Sequence, residues 1–322
     1  MVSRRRAFPT SRARVVVLST IVTAAGFAAC TYSLAEVRPG ENPSSDAALG
    51  PDVTSDGGRP LSDASAPNVA CPPDANLGPY VLTDDSTLYR FDPSTLAFTK
   101  IGKLGCDAGE PWDMAVDQSG TAWVVFFDGG LASVDTTNAH CTSASGYEAG
   151  QDGFLLYAMA YARPSLDAGE TLYLSDTTYR QVPGPGSHGL ATLDALLRVH
   201  PIGKFQGIPN VGAELSGTSN GTLYAFFPDD DAGNPATISS LVFMDGSVGL
   251  SPNSSVLSGL HVPRLGDFAF IYWRSAFYMF VAADQDPAST VWSYRGASTF
   301  VVDASAPGRI IGAAVSSCAP AY

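Results

Sequence analysis

Lysine is nearly missing from this chain: it stands at 100, 103 and 204 only, and the net charge over 322 residues is −13. Phosphate backbones are held by clustered lysine and arginine, so a nucleic-acid partner is excluded. Sustained 3.6-residue apolar periodicity with caps is also missing, which excludes a helical bundle. The four histidines and five cysteines show no zinc spacing, so no metal and no cofactor are expected. From Cys71 onward glutamate occurs at 110, 148, 170 and 214 alone, few acids for carboxylate-pair chemistry.

What is present points to short strands and turns. There are 32 glycines and 23 prolines, and 45% of residues are hydrophobic, enough for a substantial core. The stretch WDMAVDQSGTAWVVFFDGGLASVD, 112–135, reads as three strands joined by two tight turns, because Gly accepts the positive φ that such turns need. Strands are likewise expected over 80–83, 87–91 and 97–104, and LYRFDPSTLAFTKIG resembles the repeat of many secreted bacterial β-propellers.

Opening strands of successive repeats align at 114–117, 159–162, 214–217, 268–271 and 313–316, with spacings of 45, 55, 54 and 45 residues. Aromatic-rich second strands follow at 122–127, 172–175, 223–227 and 277–282. A period of that size marks propeller blades. The last opening strand has no repeat after it and the first repeat has none before it. The expected fold is therefore an all-β propeller of five four-stranded blades, with residues 310–316 completing the first blade. A β-sandwich would leave the period unexplained.

The N-terminal residues 1–29 read as a signal peptide: Arg4, Arg5, Arg6, Arg12 and Arg14 precede a 15-residue apolar run, 15–29, short for a membrane span. Arg5-Arg6-Ala7-Phe8 resembles a twin-arginine export signal. Phe27-Ala28-Ala29-Cys30 resembles a bacterial lipobox, with Phe27 where Leu is usual. The resemblance implies lipidation of Cys30 and anchoring to a membrane. Thr31 stands where some bacteria place Asp to retain lipoproteins at the inner membrane, which points to the outer one. Residues 30–70 are too polar to bury a core and read as a flexible tether, leaving 71–322 as the propeller.

With Cys30 set aside, Cys71, Cys106, Cys141 and Cys318 allow three pairings. Ring closure favours Cys71–Cys318, leaving Cys106–Cys141. The stretches PWDMAVDQSGTAWVVFFDGGLASVD, ETLYLSD, GLATLD and IIGAAVSSCAP resemble the uncharacterised propeller lipoproteins of myxobacteria. The resemblance implies localisation and fold and carries no activity.

Three motifs tempt and fail. Gly184 to Gly189 spells a dinucleotide fingerprint, but Pro185 has no amide hydrogen and a strand follows it. Gly217-Thr218-Ser219-Asn220-Gly221 spells a nucleophile elbow, but lies between strands where Asn-Gly favours a hairpin. Asp229-Asp230-Asp231 and Asp284-Gln285-Asp286 lack EF-hand spacing and read as solvated loops. Glu110 and Asp113 precede an inner strand and are expected to face the central channel, which is the basis of a glycan- or lactone-hydrolase alternative. The leading expectation is a monomeric, non-catalytic binding module. It recognises a protein or glycan through long loops carrying Tyr179, Arg180, His188, Asp230 and Asp286. A structural spacer in the envelope is the third reading.

Overall fold

The computed structural model describes residues 78–106, 109–163, 169–177, 187–207, 212–229, 234–262, 265–296, 298–302 and 304–320. Cys30, Cys71, Tyr179, Arg180 and Asp230 lie outside the described residues, as do the expected leader and tether. A 3-10 turn at Gln151–Gly153 is the one helical element among the described residues. None of these has a helix long and apolar enough to cross a membrane.

The strands follow the repeats. The first stretch gives β1 (Tyr80–Thr83), β2 (Thr87–Asp92) and β3 (Ala97–Lys103). The second gives β4 (Pro111–Val116), β5 (Thr121–Phe126), β6 (Leu131–Asp135) and β7 (Cys141–Ser143). The third gives β8 (Tyr157–Ala162), β9 (Thr171–Asp176), β10 (Leu190–Leu193) and β11 (Val199–Phe205). The fourth gives β12 (Glu214–Gly217), β13 (Leu223–Phe227), β14 (Thr237–Met244), β15 (Ser247–Leu250) and β16 (Ser255–Val256). The fifth gives β17 (Leu265–Trp273), β18 (Ala276–Ala283), β19 (Thr290–Tyr294) and β20 (Thr299–Val301). The chain then closes with β21 (Ile310–Ala314).

Aspartates shape the turns. Asp117 Oδ1 accepts the amides of Ser119 and Thr121, both at 2.9 Å, and Gly120 takes φ 86. Asp92 and Asp135 close their turns on Ser94 and Thr137 in the same way. Such side chains mimic a backbone turn, and much of the chain's acidity is used there.

Three sheets are four-stranded meanders: β4 to β7, β17 to β20, and β21-β1-β2-β3. β21 pairs antiparallel with β1, Tyr80 opposite Ala314 and Leu82 opposite Gly312. The fourth sheet departs from the expected separate repeats, since it has nine strands and joins the third repeat to the fourth. The cause is an extra hairpin. β14 runs eight residues, the chain reverses at Asp245 and Gly246 (φ 65), and β15 returns along β14. β15 then pairs in parallel with the end of β11, Phe205 opposite Val248.

The inner strands pack in succession: β21 on β4, β4 on β8, β8 on β12, β12 on β17, and β17 on β21. Five apolar clusters fill the spaces between neighbouring repeats. Leu82 and Leu88 meet Met114 and Phe126; Ala115 and Val125 meet Tyr157 and Met159. Tyr173 meets Leu215 and Phe227; Phe226 meets Phe270 and Met279; Tyr278 and Phe280 meet Val81 and Phe91. Met114 and Val116 thus serve one cluster and Ala115 the next, which is the period-two alternation of a strand buried on both faces. Each large side chain so buried contributes roughly 1.5–3 kcal/mol. With strands in radially packed meanders and no other architecture in the described residues, the fold is an all-β propeller.

Cys106 and Cys141 form a disulfide between the first repeat and the second, 35 residues apart in sequence. Closing a loop of that length stabilises by about 3–4 kcal/mol on the chain-entropy model. Cys318 is also disulfide-bonded, while Cys71 is outside the described residues.

Candidate functional site

Four inner strands begin at one place. Pro111 of β4, Glu214 of β12, Gly266 of β17 and Ile311 of β21 line a common cavity of ≈ 270 Å³. Strands that start at one cavity and pack side by side run in the same direction, as the parallel bridge from Val116 to Ser316 shows directly for β4 and β21. The connections that enter inner strands therefore gather at this end. The described ends of two that join second to third strands, Phe127 after β5 and Thr177 after β9, line it as well.

The cavity wall mixes aromatic rings with carboxylates. Trp112 and Phe127 meet edge to face with centroids 6.1 Å apart, and Phe127 is 46% exposed although it is large and apolar. Glu110 is exposed, Glu214 is buried at the first position of β12, and Asp267 is half-buried. Arg309 pairs with Asp267, Nε to Oδ2 at 2.5 Å, and also donates to the carbonyls of Ala283, Asp284 and Asp286. A Cβ at Gly266 would strike that guanidinium, so a larger residue would displace the arginine side chain. Asp84 nearby has its pKa raised by burial and then by the charge of Asp267, with Arg309 opposing.

Several of the wall's hydrogen-bond donors are already paired. Trp112 Nε1–H donates to Thr177 Oγ1 at 2.9 Å. The Thr177 amide donates to Leu156 O and the Phe127 amide to Glu110 O.

At the opposite ends of the same strands the polar groups bind one another. Glu170 Oε2 accepts the Gln118 amide at 2.8 Å and the Ser317 hydroxyl at 2.5 Å. Ser316 Oγ–H donates to Asp117 O, and Arg163 Nη2 donates to Gln118 Oε1. Burial raises the Glu170 pKa despite these bonds.

The expected pair Glu110 and Asp113 is split. β4 begins at Pro111, so Asp113 is inside the strand and side-chain alternation turns it away from the cavity towards the third repeat. It is 1% exposed, and its Oδ2 accepts the Met159 amide at 2.6 Å. Oδ1 has no hydrogen-bond partner, and burial raises its pKa well above the ordinary carboxylate value.

Of the expected loop residues, His188 and Asp286 are described, and neither is among the described residues lining the cavity. His188 donates its amide to Asp176 Oδ2 at 2.6 Å and holds the same oxygen with Nδ1 at 2.8 Å, while Asp176 is fully buried. Ser187 is beside them, but its hydroxyl donates to Asp176 O and not to the imidazole. Asp286 Oδ2 accepts the Ala283 amide and closes a turn. Ser219 is in the turn between β12 and β13, a strand-turn-strand setting with no elbow. Asp229 pairs with His261 at 2.5 Å. Among the described residues no three His, Cys, Asp or Glu side chains are grouped to hold a metal.

Trp112, Phe127, Thr177, Glu214, Asp267 and Ile311 were not singled out by sequence. Strands were expected over 112–117, 122–127, 214–217 and 310–316, which contain Trp112, Phe127, Glu214 and Ile311, while Asp267 is just ahead of the expected 268–271. What the sequence did not signal is that the starts of these strands meet at one cavity.

No family model and no curated protein matches the chain. Among solved structures it is similar to one described as the Dos1 propeller, with a TM-score of 0.37 and 14% identity, over 74% of this chain and 55% of that one. The alignment thus spans about half of that protein's length. A functionally unknown protein from Desulfotomaculum acetoxidans DSM 771 gives a TM-score of 0.30 and 14% identity, over 72% of this chain and 67% of that one. Likeness at this level carries no argument about what the chain does.

Proposed function

We propose that the chain is an exported, lipid-anchored envelope protein whose propeller is a non-catalytic binding module, with the strand-start cavity as its recognition site. The observation that carries the binding reading is the cavity itself. It draws its wall from strands far apart in sequence and leaves an aromatic ring, Phe127, open to solvent. A concave site on a rigid scaffold with a few placed polar groups is the usual form of a ligand pocket. We read the five repeats as five blades of one ring. The five inter-repeat clusters, the β1–β21 pairing and the packing of β17 back on β21 support this. The hydrolase alternative was built on Glu110 with Asp113, and that pair is split, since Asp113 accepts the Met159 amide.

Two experiments test the reading. Full-length protein is incubated with envelope extract, and retained components are compared between wild type and Phe127→Ala. Loss of the retained component in the variant is expected; equal retention would remove the cavity as the site. For the anchor, the Cys30→Ala variant should lose labelled palmitate that the wild type carries. Unchanged label would remove the lipoprotein reading.

A further inference from the structure

We infer that the end of the propeller away from the cavity docks on the surface of the bilayer that holds the anchor, through exposed turns of the third to fifth repeats. The cavity is then presented away from the lipid. The inference rests on the lipid-anchor reading above and adds a docking surface and an orientation.

Strand direction places the entry of the chain. The inner strands start at the cavity, and β1 runs antiparallel to β21 with Tyr80 opposite Ala314, the last residue of that strand. The segment before Gly78, which includes the expected tether, therefore joins the fold at the far end. An anchor attached there reaches a bilayer without passing around the domain.

The turns of the same end carry what a headgroup layer takes up. β17 starts at the cavity and stops at Trp273, and the turn into β18 exposes Arg274, whose guanidinium is 5.3 Å from the Trp273 ring centre. Tyr294 is opposite Phe277 beside that turn, and Arg295 after it is exposed. In the third repeat β9 ends at Asp176, next to Thr177 of the cavity wall, so the turn between β10 and β11 is at the far end. There Leu196 is 71% exposed and Arg198 is exposed as well. Between these two repeats the fourth contributes Ser219 and Asn220, which carry no charge. The turns are neighbours because β8, β12 and β17 pack in succession. Aromatic rings favour the membrane interface, and arginine lays its stem on apolar surface while its head reaches phosphate.

Charge selects the face. Among the described residues none of Arg198, Arg274 and Arg295 is in an ion pair. The described acids of that sector are Glu170, held by Gln118 and Ser317, Asp194, held by His200 and turn amides, and Asp245. At the cavity end Glu110 and Asp128 are exposed and Arg309 already serves Asp267. The exposed Phe127 is thus set among negative charge, which an anionic lipid surface repels, while free arginines are drawn to it.

The test labels full-length protein through one added cysteine, Leu196→Cys or Glu110→Cys, with an environment-sensitive fluorophore. The protein is reconstituted on vesicles of phosphatidylethanolamine and phosphatidylglycerol that hold a headgroup-level quencher. Wild type treated alike gives the background, and flotation shows whether protein is on the vesicles. Quenching at position 196 should exceed that at 110 at least about threefold. It should fall by about half or more on phosphatidylcholine vesicles and in the paired variant Arg274→Glu with Arg295→Glu, whose folding is checked by an unchanged thermal transition. Quenching that neither change lowers would overturn the part given to the arginines. Equal quenching at the two positions, or more at 110, would overturn the orientation. Floating protein quenched at neither position would overturn the docking and leave the anchor reading intact. Protein that stays off the vesicles would remove the anchor reading and this inference together.

Discussion

The two ends of the inner strands use the same residue type for opposite purposes. At the closed end, Glu170 sits between the Gln118 amide and the Ser317 hydroxyl, and Ser316 and Arg163 extend the network across three repeats. At the open end, Glu110, Glu214 and Asp267 surround a cavity with an exposed phenylalanine on its rim. A carboxylate ringed by donors adds cohesion. The Glu110 carboxylate at the rim is exposed and supports no neighbouring backbone. The acidic balance of the chain is therefore several quantities, spread over turns, stitching and the cavity wall.

The largest test removes the strand that belongs to both ends. β21 contributes Ile311 to the cavity, and the residues just after it, Ser316 and Ser317, to the stitching. Truncation after Gly308 also bares the edge of β1, whose residues are wholly buried. Unpaired buried backbone is costly, and a bare edge invites association. The truncated chain is expected to lose its cooperative unfolding transition altogether, read by circular dichroism on heating. A transition within a few degrees of wild type would mean that the ends are joined by something other than this strand.

Most strand positions were legible in the sequence because side-chain alternation and Gly-containing turns are local signals. The segment 112–135 folded as three strands within a residue of the expected limits. The β14–β15 hairpin was not legible, since its partner β11 is some forty residues away and only tertiary packing pairs them. The cavity was partly legible. Glu110 was picked out and lines it, while Asp113, three residues on and inside β4, was assigned the same side and instead accepts the Met159 amide. Glu214 was placed at the start of an expected strand and Asp267 just ahead of one, but neither was linked to the site, because only the shared direction of the inner strands brings them together.

Midway between the ends, Asp113 belongs to neither, and it should set a slope in the stability profile. Its pKa is raised by burial, against the weaker pull of the Met114 and Met159 amides. A carboxyl whose folded pKa is raised stabilises the fold while protonated. That contribution is complete below the unfolded pKa near 4 and is lost as pH rises from there through the folded value. Glu170 adds to the slope with the same sign. Asp113→Asn keeps an acceptor for the Met159 amide and does not titrate. Its unfolding free energy, measured from about pH 4 upward, should fall less steeply than that of wild type, by at most about 1.4 kcal/mol per pH unit. Parallel profiles would show that Asp113 is ionised in the fold and that its unpartnered oxygen is solvated.

The finest test sets one carboxylate of each end against the other. Glu170→Ala leaves the Gln118 amide and the Ser317 hydroxyl without their acceptor in a half-buried setting. Leaving such groups unpaired costs about 1–3 kcal/mol. Glu110→Gln preserves shape at an exposed position whose carboxylate holds up no neighbouring backbone; its carbonyl, which accepts the Phe127 amide, is untouched. That substitution is expected to stay within roughly 0.5 kcal/mol of wild type. Urea denaturation of both variants at one pH gives the difference directly. If Glu110→Gln costs as much as Glu170→Ala, the Glu110 carboxylate is stitched into the fold as Glu170 is, and the rim is not open.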